Sequence, residues 1–131
     1  MQVKNLNHVN IQTRDMAGTI AFYADLLGLE ARTAPQRDPA TRQWLHATSG
    51  EAVIHLNLFG TDNTIKRDVQ PGAATGAIHH IVFECDGFDE TVARLKARSL
   101  DYGFAEIPAI GLRQLFVTDP NNVLLELNFR G

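Results

Sequence analysis

Apolar and polar residues alternate from Leu6 to Thr13, with Val9 and Ile11 on one side and His8, Asn10 and Gln12 on the other, the pattern of a half-buried strand. At Met16 the period changes. Met16, Ala17, Ile20, Ala21, Ala24 and Leu27 recur at helical spacing, Asp15 is placed to cap the first turn, and Gly28 can close the helix in the left-handed conformation. Strands are predicted over Leu29 to Thr33, around Gln43 to Ala47 after a loop with Pro35 and Pro39, and from Ala52 to Phe59 beyond the turn at Gly50. The stretch Gly60 to Gly76 is polar, contains Pro71-Gly72 and has no period, so it reads as a connector. Beyond it the order of elements returns. A strand is predicted over Ala77 to Cys85, then a helix capped by Asp86 and carrying Phe88, Val92 and Leu95. Three more strands follow, at Tyr102 to Glu106, Leu112 to Thr118 and Val123 to Phe129, with Asp119-Pro120-Asn121-Asn122 turning the chain into the last.

The two halves also match residue by residue. Leu6-Asn7-His8-Val9-Asn10-Ile11 aligns with Ile78-His79-His80-Ile81-Val82-Phe83, and Ile54-His55-Leu56-Asn57 with Leu125-Glu126-Leu127-Asn128. His8 and His80 then lie 72 positions apart, and His55 and Glu126 lie 71 apart, as one small insertion would give. The expectation is a single α+β domain over residues 1–131, made of two βαβββ modules at about 5–59 and 77–129 joined by a linker over 60–76.

Successive side chains on a strand face opposite sides. His55 and Asn57 therefore share a face with Val53 and Phe59, against Ile54, Leu56 and Leu58; His80 opposes Ile81 and Phe83; Glu126 opposes Leu125 and Leu127. Four strands each offer one imidazole or carboxylate on the face away from their most apolar neighbours. A carboxylate such as Glu126 in so apolar a run is costly unless paired, and metal coordination is one remedy. His8, His55, His80 and Glu126 are accordingly the candidate ligands of one divalent metal. His79, of opposite parity to His80, is expected to point toward the helix layer in a structural role. His46 reads as a rim residue, Phe22 and Tyr23 as core, and Asn10, Asn57 and Asn128 as possible hydrogen-bond partners of the ligands. Arg113 or Gln114, just after Gly111, is placed to reach a carboxylate on a substrate.

Composition narrows the class. An apolar fraction of 44% and a charged fraction of 21% are those of an ordinary globular protein. A net charge of −3 with no basic cluster beyond Lys66-Arg67 gives no nucleic-acid footprint. Cys85 is the only cysteine, so no intrachain disulfide can form. No stretch approaches the roughly 20 apolar residues of a membrane span, and the opening residues lack the apolar core of a signal peptide. A cytoplasmic protein without membrane partners is expected.

The sequence resembles the vicinal oxygen chelate superfamily, which includes glyoxalase I, extradiol dioxygenases, fosfomycin-resistance enzymes, methylmalonyl-CoA epimerase and bleomycin-binding proteins. The resemblance covers nearly the whole chain. It is carried by Leu6-Asn7-His8-Val9, Phe22-Tyr23-Ala24-Asp25-Leu26-Leu27-Gly28-Leu29, His80-Ile81-Val82-Phe83, and Asp119-Pro120-Asn121-Asn122 followed by Leu125-Glu126-Leu127. It implies a cup-shaped mixed sheet around a divalent metal (Zn, Ni, Mn or Fe), held by a first-strand His, a fifth-strand His and a last-strand Glu, here His8, His80 and Glu126. In glyoxalase I-like members a fourth-strand Glu completes the set. His55 stands in that place, a departure that bears against a mechanism using two glutamates around the metal. The usual Gly after the turn is Asn122, which tolerates left-handed geometry.

The expected function is a metal-dependent glyoxalase-like lyase or isomerase acting on a small oxygenated molecule, with His55 and Glu126 as catalytic groups and His55 either a fourth ligand or a displaceable base. Two alternatives stand beside it. One is an Fe(II) extradiol-type dioxygenase built on His8, His80 and Glu126. The other is a non-catalytic ligand-binding or resistance protein, against which the presence of all four candidate ligands argues. A homodimer is also implied by the resemblance.

Overall fold

The computed structural model describes residues 1–61 and 65–130; residues 62–64, inside the connector expected over 60–76, and residue 131 lie outside the described residues. The chain divides into two compact units, Met1–Pro71 and Gly72–Gly131. In the first, β1 (Val9–Thr13) leads into α1 (Met16–Ala21), which runs on as a π-helical turn over Phe22–Leu26, and β2 (Glu30–Thr33), β3 (Arg42–His46) and β4 (Ala52–Leu58) follow. In the second, β5 (Ile81–Cys85), α2 (Phe88–Ala97), β6 (Gly103–Ile107), a single 3-10 turn at Pro108–Ile110, β7 (Leu112–Thr118) and β8 (Leu124–Arg130) repeat that order. Each unit forms one four-stranded mixed sheet, in the orders β1-β4-β3-β2 and β5-β8-β7-β6. This is the expected α+β fold of two repeated modules.

Both sheets close in the same way. The first strand of each unit lies parallel to the last, with Asn10 opposite His55 and Val82 opposite Glu126. The alternation read from the sequence sets the faces. Ile11, Leu45, Ile54 and Leu56 are buried in the first unit together with Phe22, Tyr23 and Leu26 of the helical segment. In the second, Leu115, Val117, Leu125, Leu127 and Phe129 are buried together with Leu95 of α2, and the Phe88 ring meets Phe129 edge-on at 5.4 Å. The first helix starts where Asp15 accepts from the Gly18 N–H at 2.9 Å, and a buried hydrogen bond of 2.9 Å joins the Thr13 and Thr19 hydroxyls across the strand-to-helix corner. Gly28 ends it at φ 70°, as expected. No helix among the described residues is long and apolar enough to cross a membrane.

Three local expectations change. The first and fifth strands begin at Val9 and Ile81, later than expected, because the parallel ladders start only at Val9 opposite Ile54 and Ile81 opposite Leu125. Leu6 and Ile78, beyond those ladders, are 80% and 64% exposed. The second helix is capped by Gly87 at φ 83° with no side-chain cap bond, in place of Asp86. The helix holding Phe22 to Leu26 widens to π geometry, with Leu29 N–H reaching back to the Tyr23 carbonyl at 3.1 Å.

Candidate metal centre

The parallel registers build the same ligand pair twice. His8 precedes β1 by one residue, and since Asn10 lies opposite His55, His8 falls beside His55 on the same face. Their imidazoles stack with centroids 3.6 Å apart and planes 9° from parallel. Trp44, the partner of His55 on β3, stacks on it from the other side of β4 at 4.2 Å. In the second unit His80 precedes β5 by one residue and falls beside Glu126, with His80 Nε2 3.4 Å from Glu126 Oε1. Phe116 holds the ladder place next to Glu126 that Trp44 holds next to His55.

The residue before each leading histidine fixes its ring. His8 Nδ1 hydrogen-bonds the Asn7 side-chain oxygen at 2.7 Å, and His80 Nδ1 hydrogen-bonds His79 Nδ1 at 2.8 Å. An amide oxygen only accepts, so His8 Nδ1 donates and the neutral ring keeps its lone pair on Nε2. His79 thus differs from its expected role. It is exposed and joined to His80, because strand parity does not govern a residue that lies before the first ladder pair.

His55 is half-buried. Burial first, and then the neighbouring His8, push its pKa down to about 4, and a hydrogen bond with the Ala52 backbone only partly opposes this. The ring is therefore neutral at pH 7, the form that binds metals. In the unfolded chain the ring takes up a proton near pH 6.5. Its contribution to stability is complete above that pH and is lost as pH falls through about 4. Urea unfolding of the metal-free protein should show this as a stability gap between wild type and His55→Gln that is present at pH 7 and shrinks toward pH 4.

Glu126 is held from β7. The Gln114 side-chain amide donates to Glu126 Oε2 at 3.1 Å and to Asn128 Oδ1 at 3.2 Å. Asn128 and its counterpart Asn57 are both buried, whereas Asn10 is exposed. Arg113 faces the other side of the sheet, its guanidinium 4.0 Å from the centroid of the Phe88 ring. His46 lies on β3 opposite Glu30 of β2. Arg113 and Gln114, equivalent candidates in the sequence, are separated by strand alternation, Arg113 over Phe88 and Gln114 on Glu126.

The four expected ligands are thus gathered as two pairs, His8 with His55 and His80 with Glu126, one pair in each unit. Among the described residues no group of three or more His, Cys, Asp or Glu side chains stands ready to hold a metal ion. The chemistry of each pair nonetheless suits a divalent cation: one imidazole with its Nε2 left open by Asn7, one held neutral, and a carboxylate facing a third. Cys85 is no ligand candidate, since burial and then Glu84 raise its thiol pKa to about 11, keeping it protonated.

The duplicated sheets and the repeated pair mark a fold class, and comparison with known families agrees. The chain belongs to the Glyoxalase/Bleomycin resistance protein/Dioxygenase superfamily, whose model matches residues 5–127. Within it, the chain is 32% identical over 139 residues to the ethylmalonyl-CoA/methylmalonyl-CoA epimerase of Cereibacter sphaeroides, covering 95% of this chain and 97% of that one. It is 30% identical over 128 residues to the protein YaeR of Escherichia coli K12, covering 95% of each. Its fold is similar to that of the lactoylglutathione lyase of Agrobacterium tumefaciens, with a TM-score of 0.66 at 19% identity, covering 98% of this chain and 96% of that one.

Proposed function

We propose that the chain is a metal-dependent lyase or isomerase of the glyoxalase kind, moving a proton beside a carbonyl on a small oxygenated substrate, and that it works in the cytoplasm as a homodimer. The observation that carries this reading is the ligand pair built twice by equivalent strand registers, each led by a histidine whose Nδ1 is already engaged. His8, His55, His80 and Glu126 would hold the metal. A bound divalent ion supplies Lewis acidity to vicinal substrate oxygens.

The protein's own groups divide the remaining work. His8 and His80 anchor. His55, held neutral by burial and by His8, acts as a ligand. Gln114 occupies Oε2 of Glu126, so Oε1 is the oxygen that would hold the metal and, when released from it, would accept and return a proton. Within its own unit each inner ligand has an aromatic strand neighbour, Trp44 stacked on His55 and Phe116 opposite Glu126. The similarity to an epimerase supports the isomerase arm of the proposal.

The test is hydrogen exchange. Protein loaded in turn with Zn²⁺, Ni²⁺, Mn²⁺ or Fe²⁺ is incubated in D₂O with 2-methylmalonyl-CoA or with the glutathione hemithioacetal of methylglyoxal. Deuterium entering the carbon beside the carbonyl is the expected result. No exchange with any metal removes the proposal. Oxygen uptake with catechol under Fe²⁺ would favour a dioxygenase instead, which the two-histidine, one-carboxylate set of His8, His80 and Glu126 also accommodates.

A further inference from the structure

We infer that Gln114 is the positioning residue of the site, committing one oxygen of Glu126 to the protein so that the other is presented as ligand; this rests on the metal-site reading above. The β7–β8 register places Gln114 opposite Asn128 and Phe116 opposite Glu126, so Gln114 is the diagonal neighbour of Glu126 on the same face. Its amide nitrogen spends both hydrogens on oxygen acceptors, Glu126 Oε2 and Asn128 Oδ1. This fixes the amide in one orientation, because a flip would turn its carbonyl oxygen against two other oxygens. Asn128, 7% exposed, is itself held within the sheet.

The Glu126 side chain is 14% exposed, so water has little access to it and an amide donor is a main source of orientation. Outer hydrogen bonds of this kind aim metal ligands, and losing one typically costs about 10–100-fold in metal affinity.

The experiment compares wild type, Gln114→Met and Glu126→Ala, each stripped of metal. Zn²⁺ affinity is read by competition with a chelating dye, coordination by the visible spectrum of the Co²⁺-loaded protein, and folding by the thermal midpoint without metal. Gln114→Met should bind Zn²⁺ about 10–100-fold more weakly and alter the Co²⁺ spectrum, with a midpoint near that of wild type. If Gln114→Met unfolds early, Gln114→Thr, polar but too short to reach Glu126, carries the same expectation. Wild-type affinity and an unchanged Co²⁺ spectrum in the methionine or threonine variant, while Glu126→Ala loses metal, would overturn the positioning role alone. Equal Zn²⁺ affinity in wild type and Glu126→Ala would overturn the metal site with it.

Discussion

Glu126→Ala should lower metal affinity by about two to three orders of magnitude and take turnover down at least as far. The size follows from sharing an apparent zinc-binding free energy of about 10–16 kcal/mol over four ligands, which leaves about 2.5–4 kcal/mol each. The metal-free variant should fold. Only 14% of the Glu126 side chain is exposed, and its removal relieves the cost of keeping a charge there. Glu84 supplies the control. It lies on the same face two positions from Val82, the strand partner of Glu126, yet it is exposed and only pairs with Arg130 at 3.3 Å. Glu84→Gln should change stability by no more than about 1 kcal/mol and leave bound metal untouched. Metal content after gel filtration, with kcat/KM for the substrate that exchanges deuterium, separates the two variants. Equal loss in both would mean that surface charge, and not a ligand, is being measured.

That contrast also marks how far a sequence of this kind can be read. The alternation Ile54, His55, Leu56, Asn57 and its counterpart Leu125, Glu126, Leu127, Asn128 states which side chains face the core, and the buried leucines agree. The Asp15 cap, the Gly28 stop and the left-handed Asn122 at φ 64° were equally legible, because each depends only on local backbone chemistry. What depended on register was not. Gln114 reaches Glu126 because β7 and β8 align Gln114 with Asn128, a fact carried by two strands together. His79 departs from its expected orientation for a related reason, since alternation holds only where a ladder exists and this one begins at Ile81. The π-helical turn at Phe22–Leu26 left no trace in a pattern of apolar spacing that fits an α-helix equally well. The sequence points to four ligands of one divalent metal; the pairing of His8 with His55 and of His80 with Glu126 comes from the parallel registers.

The largest loss of stability from a single polar residue is expected at Asp119, which shapes the turn that delivers β8 and with it Glu126. Its Oδ1 accepts the backbone N–H groups of Asn121 at 2.8 Å and Val123 at 2.9 Å, and the Asp119 N–H closes the turn on the Val123 carbonyl at 2.9 Å. Asp119 is 5% exposed, so alanine leaves those two N–H groups without the carboxylate and with little water to replace it. At about 1–3 kcal/mol for each such donor, Asp119→Ala should cost about 2–6 kcal/mol and lower the thermal midpoint by roughly 6–24 °C in a chain of this size. Asp119→Asn keeps an oxygen in the same place and should lose about 1 kcal/mol or less. Asn122, in left-handed geometry, gives an independent reading of the same turn. Asn122→Gly should be neutral or mildly stabilising, while Asn122→Ala should cost about 1–2 kcal/mol. Because the turn lies three residues before Leu125 and not at the ligands themselves, Asp119→Ala that is still folded in the cold should bind Zn²⁺ with near-native affinity. A variant that loses metal while keeping its thermal midpoint would place Asp119 in the site and out of the scaffold.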